Sequence, residues 1–104
     1  MIDTQLKLLK FTGKTFNYYK NRVAGNKEIT YDQAQRKMTR NAILAKKADS
    51  TEYESQLYMY GSLWFLVTDD DRIVWMRNNC FKPQGWNIDK ETYIKLCKEL
   101  SITS

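Results

Sequence analysis

The side chains that most often carry enzyme chemistry are sparse in this sequence. Its 104 residues include no histidine, which removes the usual partner of a serine or cysteine nucleophile and the commonest zinc ligand. Gly13-Lys14-Thr15 matches the end of a phosphate-binding loop, but the earlier glycine of GxxxxGK[ST] would fall at position 8, where Leu8 stands. Lysine and carboxylate side chains could still act as bases, but the sequence has no motif that brings them together in one site. The sequence therefore predicts that the protein is not an enzyme and has no catalytic residues.

Metal binding and redox chemistry have little support either. Asp69, Asp70 and Asp71 are consecutive carboxylates, but the glycine and distal glutamate of an EF-hand calcium loop are missing. We interpret them as a hairpin turn, where aspartate is favoured. Cys80 and Cys97 lack CxxC spacing and the cysteine density of a secreted disulfide scaffold, so we expect free thiols, with a single bridge between them as the alternative. The sequence predicts no metal and no cofactor.

The charge of the chain is uneven. Residues 1–50 carry 11 Lys and Arg against 4 Asp and Glu, whereas residues 51–104 carry 6 against 8, which together give the net charge of +5. An excess of cations on one surface favours a polyanionic partner, because binding releases the counterions condensed on nucleic acid. The charge distribution therefore makes DNA or RNA the leading partner class.

A basic helical face is the first candidate binding surface. Thr30-Tyr31-Asp32-Gln33 has the pattern of a capping box and predicts a helix over Tyr31–Ala48. At 100° per residue, alanines and Met38 fall on one stripe and basic residues on the other side. The predicted phosphate-contacting residues are Arg36, Lys37, Arg40, Lys46 and Lys47. The alternative is a solvated face, since these residues are also good helix formers.

An aromatic hairpin is the second candidate. Period-two alternation predicts a strand over Gln56–Val67, and a turn rich in aspartate separates it from a second strand over Ile73–Arg77. Two registers are open: a three-residue loop pairs Phe65 with Trp75, and a two-residue loop slips the partner by one residue. Within one continuous strand a face would carry three aromatic rings that could stack nucleic acid bases, namely Tyr58, Tyr60 and Trp64. Packing of the same rings under a helix is the alternative.

Protein recognition is a third hypothesis for the same hairpin. Both faces of the Gln56–Val67 strand are apolar, and two predicted helices would cover only part of a sheet. This leaves one face for a homodimer, or for a host or defence protein as a target of inhibition. The short chain with abundant Lys, Asn, Ile and Tyr is typical of small proteins of phages and mobile elements from low-GC bacteria, although no motif carries that association. No motif identifies a family.

The remaining elements complete an α+β prediction. Residues 1–12 favour a strand over a short amphipathic helix, Thr15–Val23 reads as another strand, and Asp89 caps a helix over Lys90–Leu100. We expect a single domain over residues 1–104, with a small, mainly antiparallel sheet, one long basic amphipathic helix and a C-terminal helix. No apolar run approaches the roughly 20 residues that span a bilayer, and no signal peptide is evident, so we expect a soluble, cytoplasmic protein.

Overall fold

A computed structural model describes residues 7–23, 25–50 and 55–102 of the chain. The helices are α1 (Gly13–Arg22), α2 (Tyr31–Leu44) and α3 (Lys90–Glu99). The strands are β1 (Lys10–Phe11), β2 (Lys46–Asp49), β3 (Ser55–Tyr60), β4 (Leu63–Thr68) and β5 (Arg72–Arg77). The α+β prediction is confirmed. The prediction of one long basic helix is not confirmed, since α2 has 14 residues and Arg40 is buried in it.

The strands form one sheet in the order β1-β5-β4-β3-β2. β1 runs parallel to β5, and the other pairs are antiparallel. The continuous strand predicted over Gln56–Val67 is wrong, because the chain reverses at Gly61 and Ser62 and pairs Tyr60 with Leu63. A two-residue reversal within an apolar run leaves the period-two pattern on each side intact, so the alternation alone did not reveal it.

Gly61 makes this reversal possible. Its φ is 59°, in the left-handed region that glycine adopts at low cost. A Cβ at this position would lie 3.2 Å from Cζ3 of Trp86. The indole is held in place, since its Nε1 donates to the Leu44 carbonyl at 3.1 Å. Both the backbone angle and the neighbouring ring therefore favour glycine here.

We expect Gly61→Ala to destabilise the fold more than Gly85→Ala. Each substitution puts a Cβ on a left-handed residue, which costs roughly 1–2 kcal/mol, and the φ of Gly85 is 78°. A Cβ at Gly85 meets nothing within 4 Å, so that variant measures backbone strain alone. Urea titrations give the free energy of unfolding of each variant. The additional loss in Gly61→Ala over Gly85→Ala measures the cost of the contact with Trp86. Equal losses in the two variants would show that the indole moves aside freely.

The turn between β4 and β5 combines the two registers left open by the sequence. Val67 pairs with Ile73, as a three-residue loop requires, but a register shift follows, so Phe65 pairs with Met76 and Leu66 with Trp75. A bulge of this kind places two residues of one strand opposite one of its partner. The register of a three-residue loop therefore holds at Val67 and Ile73. Beyond the bulge the alternative register holds, so Phe65 does not pair with Trp75.

The strand predicted over Thr15–Val23 is wrong, because the segment forms α1. Thr12 and Thr15 make a capping box, in which Thr15 N donates to Thr12 Oγ1 at 3.1 Å and Thr12 N donates to Thr15 Oγ1 at 2.9 Å. Thr15 and Tyr19, four residues apart, are both buried. Aromatic residues fit either period in so short a segment, and the cap was the missed signal. The strand favoured for residues 1–12 is found at Lys10–Phe11, while residues 1–6 lie outside the described ranges.

α2 begins where the sequence predicted and ends earlier. Gln33 N donates to the Thr30 side chain at 3.2 Å, which confirms the N-cap. The helix ends at Leu44, and Ala45 is extended with ψ of 155°. Lys46–Asp49 then adds to the sheet as β2, antiparallel to β3. The predicted boundary at Ala48 is wrong because pairing with β3 replaces the last helical turn.

The core lies between one face of the sheet and helices α1 and α2. Its buried residues are Leu9, Phe11, Tyr19, Ala34, Met38, Ala42, Leu63, Phe65, Val67, Ile73 and Met76. α3, which Asp89 caps as predicted, packs against α2 and buries Leu96 and Leu100. All three helices therefore lie away from the second face of the sheet. No helix in the described part of the chain is long and apolar enough to cross a bilayer.

Candidate binding surface on the open sheet face

The structure does not form the basic helical face that the sequence predicted. Arg40 is only 8% exposed, and its guanidinium donates to Tyr93 Oη of α3 at 3.1 Å. Arg36 is bound to Asp32 at 2.9 Å and donates to the Leu100 carbonyl. The accessible basic face predicted for Arg36 and Arg40 does not form, because α3 packs on that side of α2.

The other predicted cations are dispersed. Lys46 and Lys47 lie on β2 and, as neighbours in a strand, point to opposite faces of the sheet. Lys47 Nζ lies 5.4 Å from the centre of the Tyr58 ring on the helix side. Lys37 is half-buried, with Nζ 3.4 Å from Asn26 Oδ1. These residues remain candidates for phosphate contact one by one, but not as one surface.

The predicted aromatic trio is divided between the two faces of the sheet. Tyr58 and Tyr60 face the helices, where Tyr58 stacks on Phe65 with ring centres 5.4 Å apart and Tyr60 meets Trp86 edge to face. Burial raises the pKa of both tyrosines, so their hydroxyls stay protonated at neutral pH. Trp64 points the other way, because the turn at Gly61 reverses the alternation.

The second face of the sheet is open: none of the helices in the described ranges packs on it. The pairing register assigns to this face one set of residues from each strand. They are Lys10 of β1, Arg72, Trp75 and Arg77 of β5, Trp64, Leu66 and Thr68 of β4, Ser55, Leu57 and Met59 of β3, and Lys46 and Ala48 of β2. We call this set the open face.

The centre of the open face is apolar and aromatic. Leu66 lies between its cross-strand partners Trp75 and Leu57, and it is only 6% exposed although it is outside the main core. Its neighbours shield it from water and are themselves half-buried. Trp64 Nε1 donates to the Phe81 carbonyl at 3.1 Å, which ties the following loop to this face. The Phe81 side chain is 89% exposed, so the loop adds a solvated ring at the margin.

Cations surround this apolar centre. Lys10 and Arg72 are paired residues at the β1 edge, Lys46 lies at the β2 edge, and Arg77 pairs with Trp64 at one end. Arg72 Nε lies 3.5 Å from Asp70 Oδ2 in the adjoining turn. No carboxylate stands at a described strand position of the open face. The surface therefore combines two half-buried indoles with a rim of positive charge.

Metal or thiol chemistry has no assembled site in the part of the chain that the structure describes. No group of three or more histidine, cysteine or acidic side chains is placed to hold a metal ion within residues 7–23, 25–50 and 55–102. Cys80 and Cys97 are free. Burial raises the pKa of the Cys80 thiol, which disfavours the thiolate that nucleophilic chemistry needs.

Comparison with known proteins identifies the family. The YorE family model matches residues 9–99, a range that includes every described helix and strand from β1 to α3. The chain belongs to the YorE family. A curated member from Bacillus subtilis (strain 168), the SPbeta prophage-derived uncharacterized protein YorE, is 36% identical over 104 residues, covering 93% of this chain and 85% of the relative. No solved structure matches the chain.

The YorE relative confirms the phage or mobile-element origin that composition suggested. Its printed name places it in a prophage and gives no activity. The residues that define the open face, from Lys10 to Arg77, lie inside the matched range. Sequence reasoning identified Trp64 and Lys46 as candidate binding residues but missed Trp75 and Lys10. The sequence feature that could have revealed these residues was the apolar character of both faces of the hairpin. It predicted that one face is uncovered but did not identify which face.

Proposed function

We propose that this YorE-family protein is a non-enzymatic binder of single-stranded nucleic acid, with the open face as its binding surface. The observation that carries the proposal is the position of Trp64 and Trp75 beside a cationic rim, with no carboxylate at the described strand positions of the open face. Indole faces stack on any base, and Lys or Arg contacts phosphates without regard to sequence. Together they favour a single strand of DNA or RNA.

A single strand fits this surface better than a duplex does. Bases of a duplex are stacked on one another, so they cannot reach side chains on a flat sheet, whereas unpaired bases can be splayed onto aromatic rings. The helix that was predicted to contact phosphates ends at Leu44, and its Arg40 is buried. The proposal therefore keeps nucleic acid as partner and moves its site from α2 to the sheet. We propose a cytoplasmic location together with this partner.

Binding should be strong on single strands and sensitive to salt. Each phosphate contact lowers the slope of log K against log salt by about 0.7 for single strands, so four rim cations give a slope approaching about −3. Fluorescence anisotropy of labelled single-stranded DNA, RNA and duplex DNA, titrated at several salt concentrations, measures this slope and the preference. Tighter binding to duplex, or no binding to any of the three at low salt, would contradict the proposal.

A protein partner is the second candidate, favoured by the exposed Phe81 and the aliphatic residues between the two tryptophans. Large exposed aromatic residues beside a Leu- and Met-containing patch are typical of binding hot spots. We propose in that case a host or defence protein as partner. Recovery of one partner from nuclease-treated host lysate by the native chain, and its loss with Phe81→Asp, tests this function. Sedimentation of the purified chain as a dimer would instead assign the patch to a second copy.

A further inference from the structure

A polar cavity lies on the opposite side of the sheet from the open face. It has a volume of about 270 Å³ and is bounded by α1, α2 and the turn between β3 and β4. The side chains that give it its chemistry are Tyr19, Asn26, Lys37, Arg40, Tyr60 and Ser62. The residues that line it include two cations and no carboxylate. The proposed nucleic acid site uses none of these residues.

Arg40 is the unusual member of this cavity. It is buried at 8% exposure, yet every hydrogen-bond partner given to its guanidinium in the described chain is neutral. Asn41 Oδ1 accepts from Nε and Nη2 at 3.1 and 2.9 Å, and Tyr93 Oη accepts from Nη1. The guanidinium also lies 4.6 Å from the centre of the Tyr93 ring. A buried cation without a counter-charge is costly, because neutral dipoles replace only part of its hydration.

We propose that this cavity binds a small oxyanion, with a phosphate group as its best occupant. The bound anion would supply the counter-charge that Arg40 lacks, since guanidinium donors match the oxygens of phosphate and carboxylate. Lys37 adds a second positive charge in the same lining. A site with two cations and several hydroxyl donors suits the greater charge and oxygen number of phosphate over a carboxylate.

The hydroxyl groups around the cavity are donors at neutral pH. Burial raises the pKa of Tyr19 to about 12, although the nearby Arg40 charge acts in the opposite direction. Burial raises the pKa of Tyr60 as well, again opposed by Arg40. A folded-state pKa above the ordinary value means that both phenols stay protonated and can donate to an anion.

The size of the cavity limits the ligand. Pockets for drug-sized ligands occupy about 300–1,000 Å³, and this one is slightly smaller at about 270 Å³. Inorganic phosphate or a small phosphorylated molecule fits that space, whereas a polynucleotide strand does not. Its lining residues Tyr60 and Leu63 point toward the helices, away from Trp64. Occupancy of the cavity and nucleic acid binding on the open face are therefore independent.

Amide chemical shifts of the full chain, followed by NMR during titration at constant ionic strength, test this site. The probes are inorganic phosphate, thymidine 5′-monophosphate and acetate. We expect saturable shifts with inorganic phosphate that concentrate on Arg40, Asn41, Ser62 and Leu63, and a weaker response to acetate. Shifts with the mononucleotide but not with inorganic phosphate would indicate that the cavity binds a phosphorylated small molecule and not free phosphate. A stronger response to acetate, or shifts spread over exposed lysines, would overturn the phosphate assignment.

Variants separate the cavity from ordinary surface charge. Lys37→Met should weaken phosphate binding by at least about tenfold, which corresponds to about 1.4 kcal/mol. Lys95→Met removes an exposed lysine of α3 outside the cavity lining and should leave phosphate binding unchanged. Arg40→Met should abolish binding, and its amide spectrum reports whether the fold is kept. Equal phosphate affinity in Lys37→Met and Lys95→Met would refute the proposal whether or not Arg40→Met folds.

Discussion

Replacing Trp64 and Trp75 together with leucine is expected to weaken binding of single-stranded nucleic acid by at least roughly 30-fold. Stacking of a base on an aromatic side chain contributes about 1–3 kcal/mol, so loss of both indoles removes about 2–6 kcal/mol, and each 1.4 kcal/mol is a factor of ten. Leucine keeps an apolar side chain against Leu66, the partner of Trp75 on β4. Anisotropy with the same labelled strand as for the native chain measures the loss.

The matched control is Phe16→Leu. This substitution also removes an aromatic ring. Phe16, however, belongs to α1 on the other side of the sheet, where it packs with Phe11 and Tyr31. We expect the control to bind single strands with native affinity. Urea titrations of both variants establish that the proteins are folded during the binding measurement. Native affinity in the Trp64 and Trp75 variant would exclude stacking and leave the rim cations alone to explain any binding.

The local signals in the sequence predicted several elements correctly. Thr30 and Asp89 begin α2 and α3 because their side-chain oxygens satisfy free amides at the helix start, which is a property of a few neighbouring residues. The stripe of Ala34, Met38 and Ala42 is buried as helical periodicity requires. These predictions were correct because the residues that determine each feature lie close together in the sequence.

The errors arose where distant contacts decided the outcome. Lys46 and Lys47 have good helix propensity, but the open edge of β3 recruits them as a strand, and tertiary pairing outweighs propensity differences of a few tenths of a kcal/mol. Arg40 lies opposite the core stripe, which predicts solvent exposure, but α3 docks there from more than 50 residues further along the chain. Neither contact can be read from the local sequence.

One glycine accounts for the error in the candidate site. With Gly61 in the interior of a strand, Tyr58, Tyr60 and Trp64 share a face; with Gly61 in a turn, Trp64 changes sides and joins Trp75. A strand glycine commonly marks a bulge or bend, so the signal was present, but the strong alternation around it favoured one long strand. An uncovered apolar face was one of the hypotheses drawn from the sequence. Which residues lie on that face can be assigned only from the strand register.

Phe65 and Phe81 allow the same substitution to be compared at the two extremes of burial. The Phe65 side chain is 0% exposed on the central strand β4, and its ring stacks on Tyr58. Phe65→Ala is expected to lower the free energy of unfolding by about 3–5 kcal/mol, through lost burial and the cavity left behind. Small domains have only about 5–15 kcal/mol in total, so this variant should be near its unfolding threshold.

Phe81→Ala is expected to change stability by no more than about 0.5 kcal/mol, because its side chain is 89% exposed. Its bond to Trp64 uses the backbone carbonyl, which the substitution keeps. Urea unfolding followed by tryptophan fluorescence gives both values, and Phe65→Leu, with an expected loss below about 1.5 kcal/mol, replaces Phe65→Ala if that variant does not fold. A comparable loss for Phe65 and Phe81 would mean that the Phe81 ring is buried in solution, as a self-association through the open face would require.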